Sequence, residues 1–141
     1  MTVDEGGPAC GCGNHGCAEG LIGTPAIVRR TRELLAAHKY PWLIAAADGH
    51  AAPLTVEHVA AAATAGDKVA FLVLNEAGEH LGVAIAAALN LLGSPLVVLG
   101  GGVVRSGEPF LGVVRRTVRL RALPPVAAGL AALDDYAHAV V

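Results

Sequence analysis

From residue 24 onward the chain alternates apolar and polar positions mostly with a helical period. In "TPAIVRRTRELLAAHK", Ile27, Leu34 and Leu35 fall on one side of a helix and the arginines mostly on others. Thr24 is placed to cap that helix, and Pro25 suits its first turn. From Lys39 to Pro53 the period is broken by Pro41, Asp48-Gly49 and Pro53, which predicts a loop. Thr55 then caps a short helix over 56–64, and Asp67 caps a longer one from Lys68 to about Leu92. The first half of the long helix is amphipathic, with Asn75, Glu76, Glu79 and His80 polar. Its second half, "LGVAIAAALNLL", is apolar nearly all round, the pattern of a helix inside a protein.

Gly93, Ser94 and Pro95 predict a turn, followed by a core strand at about 96–100 that runs into Gly100, Gly101 and Gly102. Glu108 and Pro109 open a further helix, "EPFLGVVRRTVRLRAL", which Pro124-Pro125 should stop. The tail, "VAAGLAALDDYAHAVV", suggests a strand and a short helix. Residues 1–23 are irregular and glycine-rich. There is no repeat and no second domain, so 1–141 reads as one partial domain: a loop segment over 1–23, then helices and a strand over 24–141.

Composition sharpens this picture. The chain is 54% hydrophobic and only 16% charged, with 4% aromatics and a mean hydropathy of +0.56. So apolar a surface implies a covering partner. A net charge of −2 and a pI near 6.3 give no broad basic face for nucleic acid or anionic membrane. The clusters Arg29, Arg30, Arg32 and Arg115, Arg116, Arg119, Arg121 read as solvated helix faces. Leu81 to Leu99 is apolar enough to suggest a membrane span, but Gly93-Ser94-Pro95 divides it into helix and strand. With an acidic, glycine-rich start in place of a signal peptide, a cytoplasmic location is expected.

The chemistry concentrates in "CGCGNHGCAEG", where Cys10, Cys12 and Cys17 form a C-x-C-x4-C cluster. An odd number of cysteines in a reducing compartment argues against a disulfide framework. Close thiolates in a tight loop make a soft-metal site, with zinc the usual occupant. Gly11, Gly13 and Gly16 give the backbone freedom to converge the sulfurs. Unligated thiols in a turn are the alternative. His15 is a possible fourth ligand, but its place two residues from Cys17 favours a ligand from elsewhere. His38, His50, His58, His80 and His138 are scattered singly and lack zinc-pair spacing.

"GPACGCGNHGCAE" resembles the zinc signature of the ROK family of bacterial sugar kinases and sugar-responsive repressors, C-x-C-G-x-x-G-C-x-E. Cys10, Cys12, Gly13, Gly16, Cys17 and Glu19 fill its fixed places. "AGDKVAFLVLNEAGEHLGVAIAAALNLLGSPLVVLGGGVV" resembles the family's long helix, turn and glycine strand, and the resemblance extends over about 1–123. It implies an α/β fold: the helix-rich C-terminal part of an actin-like, ribonuclease-H-like ATPase fold with a zinc loop at its start. The family's fourth zinc ligand is a histidine in a "GH" pair that falls just ahead of Met1, so a truncated member is the expectation. A lone strand without its partners also leads us to expect marginal stability or aggregation.

By the same resemblance, Cys10, Cys12 and Cys17 bind structural Zn2+, and Glu19 hydrogen-bonds the sugar, a loop charge being the alternative. Gly100, Gly101 and Gly102 match the nucleotide-side glycine loop; a tight strand-to-helix turn explains them equally, since no G-K-[ST] follows. The family's phosphate loop, Asn-Asp pair and catalytic aspartate match nothing in this chain, so no catalytic residue is assigned. The first expectation is part of a glucokinase-like kinase, taking ATP with Mg2+ and a hexose or amino sugar, inactive alone. The alternative is part of a sugar-responsive repressor that meets DNA only through a separate N-terminal domain. A homodimer is implied in either case, and no membrane partner.

Overall fold

The structure is a computed structural model that describes residues 1–37 and 53–131. Among the described residues the regular elements are helical: α1 (Ala18–Ile22), α2 (Thr24–Ala37), α3 (Val56–Thr64), α4 (Lys68–Leu92), a 3-10 turn (Val103–Ser106), α5 (Glu108–Arg121) and α6 (Pro124–Ala131). The loop expected over 39–53 lies almost wholly outside the described residues. The tail, expected to begin with a strand at Val126, is instead helical as far as Ala131 and lies outside the described residues after that.

Local sequence sets most helix starts. The Thr55 hydroxyl accepts from His58 N at 3.4 Å, while Thr55 N donates to His58 Nδ1 at 3.3 Å, a reciprocal cap on α3. Asp67 Oδ1 accepts from Ala70 N at 2.9 Å and starts α4. Thr24 differs from expectation: it is the first residue of α2, not its cap, and Gly23 O accepts the first helical amides from Ala26 and Ile27. Pro124-Pro125 also differ, because they open α6; α5 has already ended at Arg121. Proline lacks the amide that a first turn leaves unpaired in any case, so it starts a helix as readily as it stops one.

Helix α4 is the centre of the molecule and packs on α1, α2, α3 and most extensively α5. Val73, Leu74 and Ala77 of α4 meet Ile27 of α2, Val59 of α3 and Phe110 and Val114 of α5 in one buried cluster. Further along α4 the contact face carries Gly78, Gly82 and Ala86, all buried. These small residues bring α5 unusually near: a Cβ on Gly82 would lie 2.5 Å from Thr117 Cβ.

The second half of α4 is therefore one-sided, not enclosed as its composition suggested. Leu91 and Leu92 are 84% and 74% exposed. The segment 96–100, expected as a core strand, pairs with no strand among the described residues. Leu96 and Val98 project into solvent, at 56% and 68% exposure. A strand is stable only with a neighbour to satisfy its amides and carbonyls, and the described residues supply none. The helix α4 is long and apolar enough to pass for a membrane span by composition, yet it serves here as a core helix.

The arginines also do more than face solvent. Arg30 of α2 makes a two-pronged pair with Glu76 of α4, Nε to Oε2 at 2.8 Å and Nη2 to Oε1 at 3.0 Å. Arg116 of α5 donates to Asn75 Oδ1 at 3.2 Å. Both clamps tie a neighbour to α4.

Candidate metal centre

Two nested reversals build the cysteine loop. In the outer one, Val3 N and Asp4 N share Gly16 O at 2.9 and 3.2 Å, and Ala18 N donates to Met1 O at 2.9 Å. In the inner one, Gly16 N reaches Pro8 O at 2.8 Å, Cys10 N reaches Asn14 O at 2.7 Å, and Gly13 N closes on Cys10 O at 3.0 Å. Short antiparallel bridges pair Thr2 with Cys17 and Ala9 with His15. Gly16 is where both reversals meet. Its φ is +59° and a Cβ there would overlap the Asp4 carbonyl, so only glycine fits. Gly11 is different: it has open space around it and no positive φ.

This backbone brings the ligand atoms of Cys10, Cys12 and Cys17 within 4.8 Å of one another. Cys12 Sγ and Cys17 Sγ are 3.5 Å apart. A tetrahedral zinc about 2.3 Å from each sulfur requires S···S separations of about 3.8 Å, so small side-chain rotations make the set fit that ion. All three are free thiols, graded from exposed Cys12 through half-buried Cys10 to buried Cys17. The Asn14 backbone amide holds the Cys12 thiol below its ordinary range, helped by the neighbouring thiols. Cys17 is pushed the other way, first by its hydrogen bond with Cys12 and then by burial. His15 is exposed and its ring is not among the converging ligand atoms.

Cys17 is the N-cap residue of α1, so the loop sets the start of that helix. Glu19 lies in its first turn and is exposed. Its carboxylate curls over the junction with α2: a Cβ on Gly23 would sit 3.1 Å from Glu19 Oε1. Next along, Thr24 meets the glycine loop, since a Cβ on Gly102 would sit 3.4 Å from Thr24 Oγ1. Glu19 and Gly102 thus flank one short junction. Gly100 and Gly101 have nothing within 4 Å of where a Cβ would lie, which leaves their backbone open to a ligand. Just after the loop, Ser106 keeps a buried hydroxyl with no hydrogen-bond partner in the structure.

A cleft of about 440 Å³ lies against the metal-loop segment. It is lined by Asp4 and Pro8, by Ile27 and Val73 of the core, and by Glu76 and His80 of α4. Sequence reading did not single it out, because its parts lie far apart in the chain.

The sequence model of the ROK family matches residues 1–130. The chain belongs to the ROK family. Among curated ROK relatives, the glucokinase of Halalkalibacterium halodurans is 36% identical over 128 residues, 91% of this chain and 38% of its own length. The DNA-binding transcriptional repressor Mlc of Escherichia coli K12 is 30% identical over 122 residues, 86% of this chain and 29% of its own. The chain therefore spans well under half the length of these relatives. In backbone it superposes on the ROK glucokinase of Streptomyces griseus solved with glucose and AMPPNP, with a TM-score of 0.76 and 29% identity, covering 87% of this chain and 40% of that one. A ROK transcriptional regulator homologous to the E. coli Mlc protein gives a TM-score of 0.79 at 27% identity, covering 92% and 31%. The chain is thus a helix-rich part of the actin-like ROK fold, in a family that includes glucokinases and repressors.

Proposed function

We propose that this chain is the metal-loop part of a cytoplasmic ROK sugar kinase, glucokinase-like, phosphorylating a hexose with ATP and Mg2+. The observation that carries this reading is the convergence of Cys10, Cys12 and Cys17 in a loop that ends two residues before Glu19. Zinc held by these sulfurs would supply a fixed crosslink and no redox chemistry. The loop residues would hold the start of α1, and with it Glu19, at a set angle. The Glu19 carboxylate would accept hydrogen bonds from sugar hydroxyls. The backbone amides of Gly100, Gly101 and Gly102 would face the nucleotide's phosphates, whose oxygens need donors that approach without side chains.

Phosphoryl transfer also needs a base to take the hydroxyl proton as the sugar oxygen attacks. No aspartate of this chain stands in the family's context for that role, so the 141-residue chain on its own is expected to be inactive. An ATP-coupled assay over a panel of hexoses and amino sugars tests this, and turnover by the purified chain would refute it. The second reading, part of a sugar-responsive repressor, draws support from the similarity to Mlc and the regulator structure. Coding DNA read in frame ahead of the Met1 codon separates the two. A phosphate loop with an Asn-Asp pair supports the kinase, and a helix-turn-helix supports the repressor. X-ray absorption spectroscopy of the zinc-loaded chain and of its His15→Ala variant tests the ligand set, and an imidazole in the shell that the variant loses would overturn a fourth ligand from elsewhere. Homodimerisation belongs to the same proposal, and sedimentation tests it.

A further inference from the structure

The three thiols are unequal in a way that zinc binding alone does not use. Cys12 is exposed, Cys17 is buried, and their sulfurs are already in contact at 3.5 Å across a five-residue separation. Cys10 N and Gly13 N are both engaged in the inner turn, so the backbone beneath Cys12 is held in place. Cys10 and Cys12, with one residue between them, could join only in a small strained ring. An oxidant arriving from solvent meets Cys12 first, and the buried sulfur in contact with it is that of Cys17.

We propose that Cys12 and Cys17 form an oxidisable dithiol that reacts with peroxides and closes to a disulfide, ejecting zinc. The Cys12 thiolate attacks a peroxide oxygen, the O–O bond breaks, and Cys12 becomes a sulfenic acid as hydroxide (or alkoxide) leaves and takes up the proton that the Cys12 thiol had released, giving the first water (or alcohol). The Cys17 sulfur then attacks the Cys12 sulfur, the S–O bond breaks, and the departing hydroxide takes the Cys17 proton as water. Two thiols lose two electrons and the peroxide gains them. Zinc is then left with Cys10 alone from this loop, too few ligands to hold it. Disulfide and zinc therefore exclude each other, and a thiol reductant restores the metal-binding state. The zinc-release arm rests on the metal-loop reading above, whereas disulfide formation in the zinc-free chain does not.

The test uses the whole chain, zinc-loaded and zinc-stripped, treated with hydrogen peroxide. Free thiols are alkylated, the disulfide is reduced, and the released thiols take a second, heavier label. Cleavage after Glu5 and Glu19 gives one fragment, 6–19, that carries all three cysteines. Tandem mass spectrometry should find the second label on Cys12 and Cys17 and the first on Cys10. With zinc at about 100 times its Kd, oxidation should slow by roughly 100-fold, because only metal-free chains react. A chromogenic chelator should then report zinc release in step with labelling. Cys10→Ser should keep the same crosslink, and Cys12→Ser should abolish rapid crosslinking. A crosslink through Cys10, a Cys12→Ser variant that still crosslinks at the parent rate, or Cys12 driven to sulfinic acid without a crosslink overturns the pairing. Oxidation indifferent to zinc, in a chain that binds zinc tightly, overturns the exclusion.

Discussion

Replacing Gly16 by alanine should disable the metal loop and leave the helical core standing. The new Cβ would coincide with the Asp4 carbonyl, and the residue would have to hold φ at +59°. The overlap is backbone against Cβ, so no side-chain rotation relieves it; residues 1–4 must leave. With them go the hydrogen bonds from Val3 N and Asp4 N to Gly16 O and from Ala18 N to Met1 O. Each is worth about 0.5–1.5 kcal/mol net, and the low end serves as the minimum. The left-handed conformation adds about 1–2 kcal/mol for any residue with a Cβ. Together the loop loses about 3 kcal/mol of local stability, which weakens zinc binding by roughly 100-fold. Competition against a chromogenic zinc chelator measures that ratio, and far-ultraviolet circular dichroism through a urea titration monitors the helices. Gly11→Ala is the internal control. It sits two residues before Gly13 in the same loop but in open space with an ordinary φ, so its zinc affinity should stay within about threefold of the parent. If Gly16→Ala bound zinc as tightly as Gly11→Ala, the nested-reversal account of the site would fail.

Three further outcomes follow from the helices. Gly82→Ala gains about 1 kcal/mol of helix propensity but places a Cβ 2.5 Å from Thr117 Cβ; overpacking against a fixed atom costs about 1–3 kcal/mol. A net loss of up to about 2 kcal/mol is expected in urea unfolding, and a rise in midpoint would mean that α4 and α5 are not in contact there. Glu57, at the start of α3, has its pKa lowered below its ordinary 4.5 by its own backbone amide and then by the Thr55 hydroxyl. Its stabilisation is present above that ordinary value and lost as pH falls through the depressed one. Glu57→Gln should thus be less stable than the parent at neutral pH and equal to it in strong acid, as thermal melts across pH will show. Arg30→Lys gives up the two-pronged contact with Glu76. As Arg30 and Glu76 are 41% and 33% exposed, the loss should be no more than about 1 kcal/mol by urea midpoint and should shrink further in high salt.

What the sequence made legible was whatever a few neighbouring residues decide. Thr55 and Asp67 were readable as caps because a cap is a contact between residues three apart. The sulfur cluster was readable because Cys10, Cys12 and Cys17 lie within one turn-rich stretch. The failures have the opposite character. Whether Leu96 to Gly100 is a strand depends on a neighbour that local pattern cannot supply. Gly78 and Gly82 look like weak points of a helix until α5 is laid across them. Arg30 looks like one of several solvated arginines until Glu76, 46 residues away, closes on it. Gly16 fills a fixed place of the motif and Gly11 does not, but only the path of residues 1–4 shows why a glycine is needed at one and not at the other. The helix α1 escaped notice because five residues are too few for a period to show.

The route from sulfur to glycine loop is short, and each link is a particular contact. Cys17 is at once a candidate ligand and the cap residue of α1, so a change in how its sulfur is held moves the start of that helix. One turn of α1 separates this point from Gly23, whose amide is bonded to Glu19 O at 3.1 Å. Thr24 follows directly and lies against Gly102. With α2 packed on α4 through Ile27 and Val73 as well as paired through Arg30 and Glu76, the junction does not take up a displacement by swinging freely as a body. A displacement at the sulfurs must then appear locally, at Glu19 and at the Gly102 contact. If Glu19 holds a sugar and the glycines face a nucleotide, metal occupancy sets the geometry of both ligands at once. On that reading a metal with no chemistry of its own would limit the freedom of α1, at the point where a few tenths of an ångström would decide whether a carboxylate reaches a hydroxyl.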